Sequence, residues 1–232
     1  MTVRARVLDA LGTVYDPELD EPITALEFVS SCDVSAEGDV EVRLRLPTSQ
    51  CAPNFAFLMA ADARDAVRRL PEVREVTVML EDHCTDDEIN AAVSRGQAFA
   101  QAFPGETEGE LDALRRLFQR KALVARQSRC CEALLAAGAT PEEVTARRVA
   151  DLPDDDAGAR RCLELRDQLG ISREDDAAAF VLPDGAPIAA ADLRHWLRIA
   201  RLVRTSLESN GGMCRSLLRV RYDLPDTEEI AA

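Results

Sequence analysis

Val40-Glu41-Val42-Arg43-Leu44-Arg45-Leu46-Pro47-Thr48-Ser49-Gln50-Cys51-Ala52-Pro53 is the stretch on which the fold of this chain turns. Val40, Val42, Leu44 and Leu46 alternate with Glu41, Arg43 and Arg45, the period-two pattern of a strand with one packed and one wet face. Pro53 suits the first position of a helix, and Phe55, Leu58, Met59, Ala63, Val67 and Leu70 recur at helical spacing until Pro71 ends the run. Cys51 therefore lies between a strand and a helix start, where backbone N–H groups without internal partners favour an anion. A thiolate held there can ligate a metal or exchange thiols. The competing reading is a small buried side chain, the usual fate of a free cysteine.

Outward from this stretch, the same core gains further elements. Val3, Val7, Leu11 and Val14 follow one another at intervals of three and four, which predicts an opening helix. Asp16-Pro17-Glu18 stops it, because proline forces the preceding residue into an extended conformation, and the turn projects two carboxylates. A strand is expected over residues 23–34, with Leu26, Phe28, Cys32 and Val34 on one side. After the helix that follows Cys51, Val76, Val78 and Leu80 alternate with Glu75, Thr77 and Met79 as a third strand.

The reading is an α+β chain: a small two-layer α-β-β-α-β domain over residues 1–84, then a mostly α-helical domain over residues 85–232. Thr85-x-x-Glu88 and Thr140-Pro141-x-Glu143 have the form of capping boxes, and Gly138 and Gly170 that of helix stops. Helices are expected over residues 108–137 and 157–169. Leu193, Trp196, Leu197, Ala200, Val203 and Leu207 outline another, with Asn210-Gly211-Gly212 as its stop and a short strand through Leu218, Val220 and Tyr222 after it.

With those residues in view, the first segment resembles the iron–sulfur cluster assembly domain of SufT and PaaD-type proteins. The matching features are Asp16-Pro17-Glu18-Leu19, the run through Ile23 and Leu26, Thr48-x-x-Cys51 opening a helix, and Leu70-Pro71-x-Val73-x-x-Val76-x-Val78. The chain departs from the pattern at Ala25 and Glu27, where the family often has Asp and Gly, and at Ala52, where it usually has Pro. The resemblance implies a non-catalytic factor that helps iron–sulfur centres form or reach their targets, with Cys51 as the functional cysteine and Asp16 and Glu18 as supporting positions alongside Thr48. It further implies transient binding of iron or a cluster, and an apo-metalloprotein client such as an oxygenase component, engaged by the helical region.

One thiolate cannot complete the coordination of a cluster, so further ligands are expected from the chain, a second protomer, the client or a small thiol. His83 and Cys84, at the end of the third strand, join Cys51 as metal ligands if that end approaches the helix start. A homo-oligomer or a client complex is the expected assembly. Two other readings remain open: a metal-free chaperone of a monooxygenase component, and a thiol-dependent enzyme with Cys51 as nucleophile.

The remaining motifs have bland readings. Cys131 lies on an apolar helical stripe, and no role follows for its neighbour Cys130; Cys162 lies on another amphipathic helix, and Cys214 follows the glycine pair. Asp154-Asp155-Asp156 lacks the ligand spacing of a calcium loop, and His195 has no nucleophile beside it by motif. Arg194, Arg198, Arg201 and Arg204 recur on one side of a helix as a wet face or a dock for an acidic client.

Composition narrows the classes. With 42 acidic against 28 basic residues, the net charge of −14 opposes the phosphate neutralisation that drives nucleic-acid binding. The seven cysteines show neither repeated CxxC nor disulfide-scaffold density, which points to reduced thiols. No apolar run reaches the ~20 residues that span a bilayer, and residues 1–6 lack a signal-peptide pattern. The cytoplasm is the expected location.

Overall fold

The computed structural model describes residues 1–105, 110–153 and 156–225. Its contacts divide the chain into two units, Met1–Asp112 with Ser209–Ala232, and Ala113–Glu208. Residues 85–112 and the chain from Ser209 onward, which sequence periodicity grouped with the helical region, fall in the first unit.

In the first unit, Thr2 caps helix α1 (Val3–Leu11) by accepting a hydrogen bond from the Ala5 N–H, and Val7 and Leu11 on its inner face are fully buried. A two-residue pair follows, β1 (Tyr15–Asp16) antiparallel to β2 (Glu21–Pro22), closing a hairpin over Pro17. The main sheet has the order β3 (Val29–Val34), β4 (Asp39–Arg45), β5 (Glu75–Glu81). β3 runs antiparallel to β4 and β4 parallel to β5, the crossover being made by α2 (Pro53–Arg68). Val40, Val42 and Leu44 of β4, with Val78 and Leu80 of β5, point into the core that α2 covers through Ala56, Met59, Ala60, Ala63 and Val67.

The strand expected over residues 23–34 begins only at Val29. Pro22 has no N–H to donate, and Glu27 takes a left-handed φ of 60°, so the intervening residues form turns closed by Leu26 N–H to Pro22 and Phe28 N–H to Ile23. Leu26, Phe28 and Cys32 are buried nonetheless.

α3 (Asp86–Arg95) covers the far end of β5 and stops at Gly96 in the left-handed conformation, and a short α4 (Phe99–Ala102) follows. Thr85 does not form the expected capping box, because its hydroxyl bonds the ring of His83 instead.

In the second unit, α5 (Glu110–Ala136), α6 (Pro141–Ala146), α7 (Ala157–Leu169) and the first part of α8 (Ala190–Tyr222) enclose Cys131, Val144, Phe180, Leu193, Trp196 and Ala200. The expected start of α5 at Glu108, and Asp154 and Asp155 of the acidic run, lie outside the described residues. Leu117, expected on the packed face of α5, is exposed. Gly138 and Gly170 take left-handed conformations at helix ends, and the Thr140–Glu143 capping box forms with both hydrogen bonds.

α8 corrects the reading of its own sequence. Asn210-Gly211-Gly212 does not stop it, and the residues expected as a last strand are helical through Tyr222. Packing decides the matter: Gly211, Cys214 and Leu218 recur at spacings of three and four along the face that meets the first unit's core, and Leu218 is fully buried there. Two glycines cost the helix about 1 kcal/mol each, which tertiary burial offsets.

Candidate functional site around Cys51

Cys51 lies two residues before the first helical residue of α2, half-buried against the core of the first unit. The local chain folds to present it there: β4 ends at Arg45 shortly before Pro47, Thr48 Oγ1 accepts the Gln50 N–H at 3.2 Å in a tight turn, and Pro53 starts the helix. The Thr48 hydroxyl also lies 3.4 Å from the Cys51 sulfur, within hydrogen-bond reach.

The end of β5 does approach the helix start. The Cys84 N–H donates to the Ser49 carbonyl at 3.0 Å, and His83 Nε2 lies 2.7 Å from the Cys51 carbonyl oxygen. His83 Nδ1 accepts the Thr85 N–H at 3.3 Å, which fixes the tautomer with the proton on Nε2, so the ring donates to Cys51. Both ring nitrogens are thus engaged in a side chain only 5% exposed; in this geometry His83 braces the Cys51 backbone, and ligation would require it to surrender one of those bonds. The Cys84 residue is exposed.

Asp16 is buried, and its Oδ1 accepts the N–H groups of Glu18 at 2.8 Å and Leu19 at 2.9 Å, shaping the Pro17 turn. Burial pushes its carboxyl up to about 6, against the lowering effect of those two donors. Glu18 projects its carboxylate outward, where Asn210 Nδ2 donates to it at 3.3 Å.

That last contact belongs to a series made by the end of α8, within the same unit. Arg215 pairs with Glu21 at 2.5 Å and Arg219 with Glu27 at 3.5 Å. Arg221 donates to the carbonyls of Leu46 and Asp82, the residues that follow β4 and β5. The helix end is thereby tied to the hairpin at Asp16–Glu21 and to both chain segments that flank Cys51. Cys214 stands four residues after Asn210 and beside Arg215, half-buried, and Asp16, Cys51, Glu18 and Arg215 are among the groups whose charge acts on its thiol. Burial, with Asp16, Cys51 and Glu18 next in order, pushes its thiol up to about 11.

Among the described residues, no group of three or more His, Cys, Asp and Glu side chains is arranged to hold a metal ion. Away from Cys51, Cys130 and Cys162 line a cavity of about 390 Å³ in the second unit with Leu152 and Phe180, while Cys131 is sealed in the core and its thiol is pushed up by burial. Arg201 and Arg204, read as a possible dock for an acidic client, are both paired with Glu132. Arg198 donates to the exposed His195 ring at 3.1 Å. No helix among the described residues is long and apolar enough to cross a membrane.

Sequence reasoning did not anticipate that Asn210, Arg215 and Arg221 tie α8 to the hairpin and to the segments that flank Cys51. The available signal was the spacing of Leu207, Gly211, Cys214 and Leu218, which continues the apolar face of α8 through the glycine pair.

A family model described as iron–sulfur cluster assembly protein matches residues 4–78, a span that holds Asp16, Glu18, Thr48 and Cys51 and ends before His83, Cys84 and α8. An uncharacterized protein of Methanocaldococcus jannaschii is 33% identical over 90 residues, which are 39% of this chain and 93% of that protein. No solved structure matches the chain.

Proposed function

The chain belongs to the iron–sulfur cluster assembly protein family, and from that premise we propose that Cys51 receives iron or a cluster as transient cargo and passes it to an apo-metalloprotein client. The observation that carries this reading is the placement of Cys51: half-buried at the start of α2, with the Thr48 hydroxyl at 3.4 Å from its sulfur and its backbone braced by His83. A sulfur that is neither sealed nor free to wander suits a group that must bind and release.

Cargo held by few protein ligands leaves coordination positions that an acceptor can fill, which lowers the barrier to handing it over. The protein acts in this scheme as a carrier and performs no turnover of its own. The resemblance to PaaD-type proteins makes an oxygenase component with an iron–sulfur centre the first client to try.

The test is transfer. The protein is loaded anaerobically with ferrous iron and sulfide, freed of small molecules and mixed with an apo-protein that accepts a [2Fe–2S] centre. Appearance of the acceptor's visible spectrum, dependent on Cys51, supports the reading. An acceptor that matures at the same rate with loaded Cys51→Ser protein overturns it.

A further inference from the structure

We propose that Cys214 is a second thiol of the Cys51 site, so that the two sulfurs together form a dithiol binding site for a soft, thiophilic metal ion. The inference deepens the function proposed above and rests on that reading for the identity of the cargo. It adds a ligand from outside residues 4–78, the span matched by the family model.

Several independent contacts bring Cys214 to this place. Asn210, one helical turn earlier on the same face, is bonded to Glu18, and Leu218, one turn later, is fully buried in the first unit's core. Cys214 lies between these two anchors, packed against the same core as Cys51. Arg215 grips Glu21, and Arg221 grips the carbonyls of Leu46 and Asp82 on either side of the Cys51 segment. The helix is thus fixed at both ends of the interval that carries the thiol, on the core that Cys51 also packs against, and near enough to Cys51 for the charge of one sulfur to act on the other.

The chemistry of the pair favours a soft cation. Two sulfurs offer soft donors, which select ions such as cadmium, zinc or cuprous copper and the iron of a cluster over magnesium or calcium. On binding, each thiol gives its proton to solvent and each sulfur forms one bond to the metal in place of a water ligand; no electron changes hands. Two ligands leave the other positions of a tetrahedral ion to water, a small thiol or the client.

Cadmium ion is the probe, because it reports on the thiol pair without iron or sulfide. The full chain is treated anaerobically with iodoacetamide, with and without one equivalent of cadmium, and the alkylation of each cysteine is followed by peptide mass spectrometry. In the wild-type protein cadmium should protect Cys51 and Cys214 together. In Cys214→Ser the protection of Cys51 should weaken, its cadmium midpoint rising about tenfold or more. Cys214→Ala should behave likewise, and thermal melts confirm that both variants are folded.

If Cys51 keeps its full protection in both variants, or if Cys214 is alkylated at one rate with and without cadmium, the second thiol is overturned while Cys51 carriage stands. If cadmium protects neither cysteine in the wild type, the metal-binding role of Cys51 falls with it.

Discussion

His83 donates from Nε2 to the carbonyl oxygen of Cys51 across 2.7 Å, joining the end of the parallel strand β5 to the residue that opens α2. The ring is buried and its other nitrogen is held by Thr85, so one side chain sets the position of the proposed cargo sulfur from behind. Removing the ring by His83→Ala leaves a carbonyl and the Thr85 donors short of a partner, at a cost of about 1–3 kcal/mol. Urea denaturation checks this, and the variant should also retain less cargo. A variant as stable as the wild type contradicts the brace.

Glu27 stands at φ 60°, where the resembled family often has glycine, and its carboxylate meets Arg219 at 3.5 Å. A residue with a Cβ pays about 1–2 kcal/mol for a left-handed backbone, and a partly exposed ion pair returns at most about 1 kcal/mol. Glu27→Gly should therefore stabilise the chain by about 1 kcal/mol when Arg219 is already alanine, and by less when Arg219 is present. A double-mutant cycle measures both legs. Equal effects in the two backgrounds would show that Arg219 does not compensate for the strain.

Asp16 supplies a pH dependence with a definite sign. Its folded carboxyl is raised to about 6 from 3.8, so between these values the unfolded chain has lost the proton while the folded chain keeps it. Stability contributed by the neutral acid is present below pH 4 and lost as pH rises through 6, about 3 kcal/mol in all. Asp16→Asn keeps an oxygen for the Glu18 and Leu19 N–H groups but cannot ionise. Denaturation curves from pH 4 to 7 should show the variant gaining on the wild type by roughly that amount; parallel curves contradict the shift.

The glycine pair in α8 separates helix propensity from packing. A Cβ added at Gly212 meets nothing within 4 Å, so Gly212→Ala should stabilise by about 0.5–1 kcal/mol. At Gly211 it would lie 2.7 Å from Glu21 Oε1, and the Glu21–Arg215 pair must shift to admit it. Gly211→Ala should therefore gain less, or lose, in the same thermal melt. Equal gains would mean that the helix does not press on the hairpin there.

The pattern of legible and hidden features follows from the range of the interactions. Val40, Val42 and Leu44 disclosed β4 because alternation is written in neighbouring residues, and Pro53 with the stripe from Phe55 to Val67 disclosed α2 in the same way. The placement of Cys51 was legible because it is set locally, by a strand end beside a helix start. The glycine pair misled because local propensity argued for a stop, whereas burial of Leu218 and the contacts of Asn210 and Arg215 depend on residues far away in the chain. His83 was read as a ligand from its residue type, and only the fold reveals that its two nitrogens are already engaged. The packing of Cys214 and Cys51 against one core had no signature in either segment alone.

Cargo binding through the Cys51 sulfur is tested most directly by anaerobic loading with ferrous iron and sulfide, followed by measurement of iron and acid-labile sulfide that stay with the protein after gel filtration. The account predicts a bound chromophore in the wild type and its loss in Cys51→Ser, with the melting profile unchanged. Equal iron and sulfide on wild type and Cys51→Ser would contradict it.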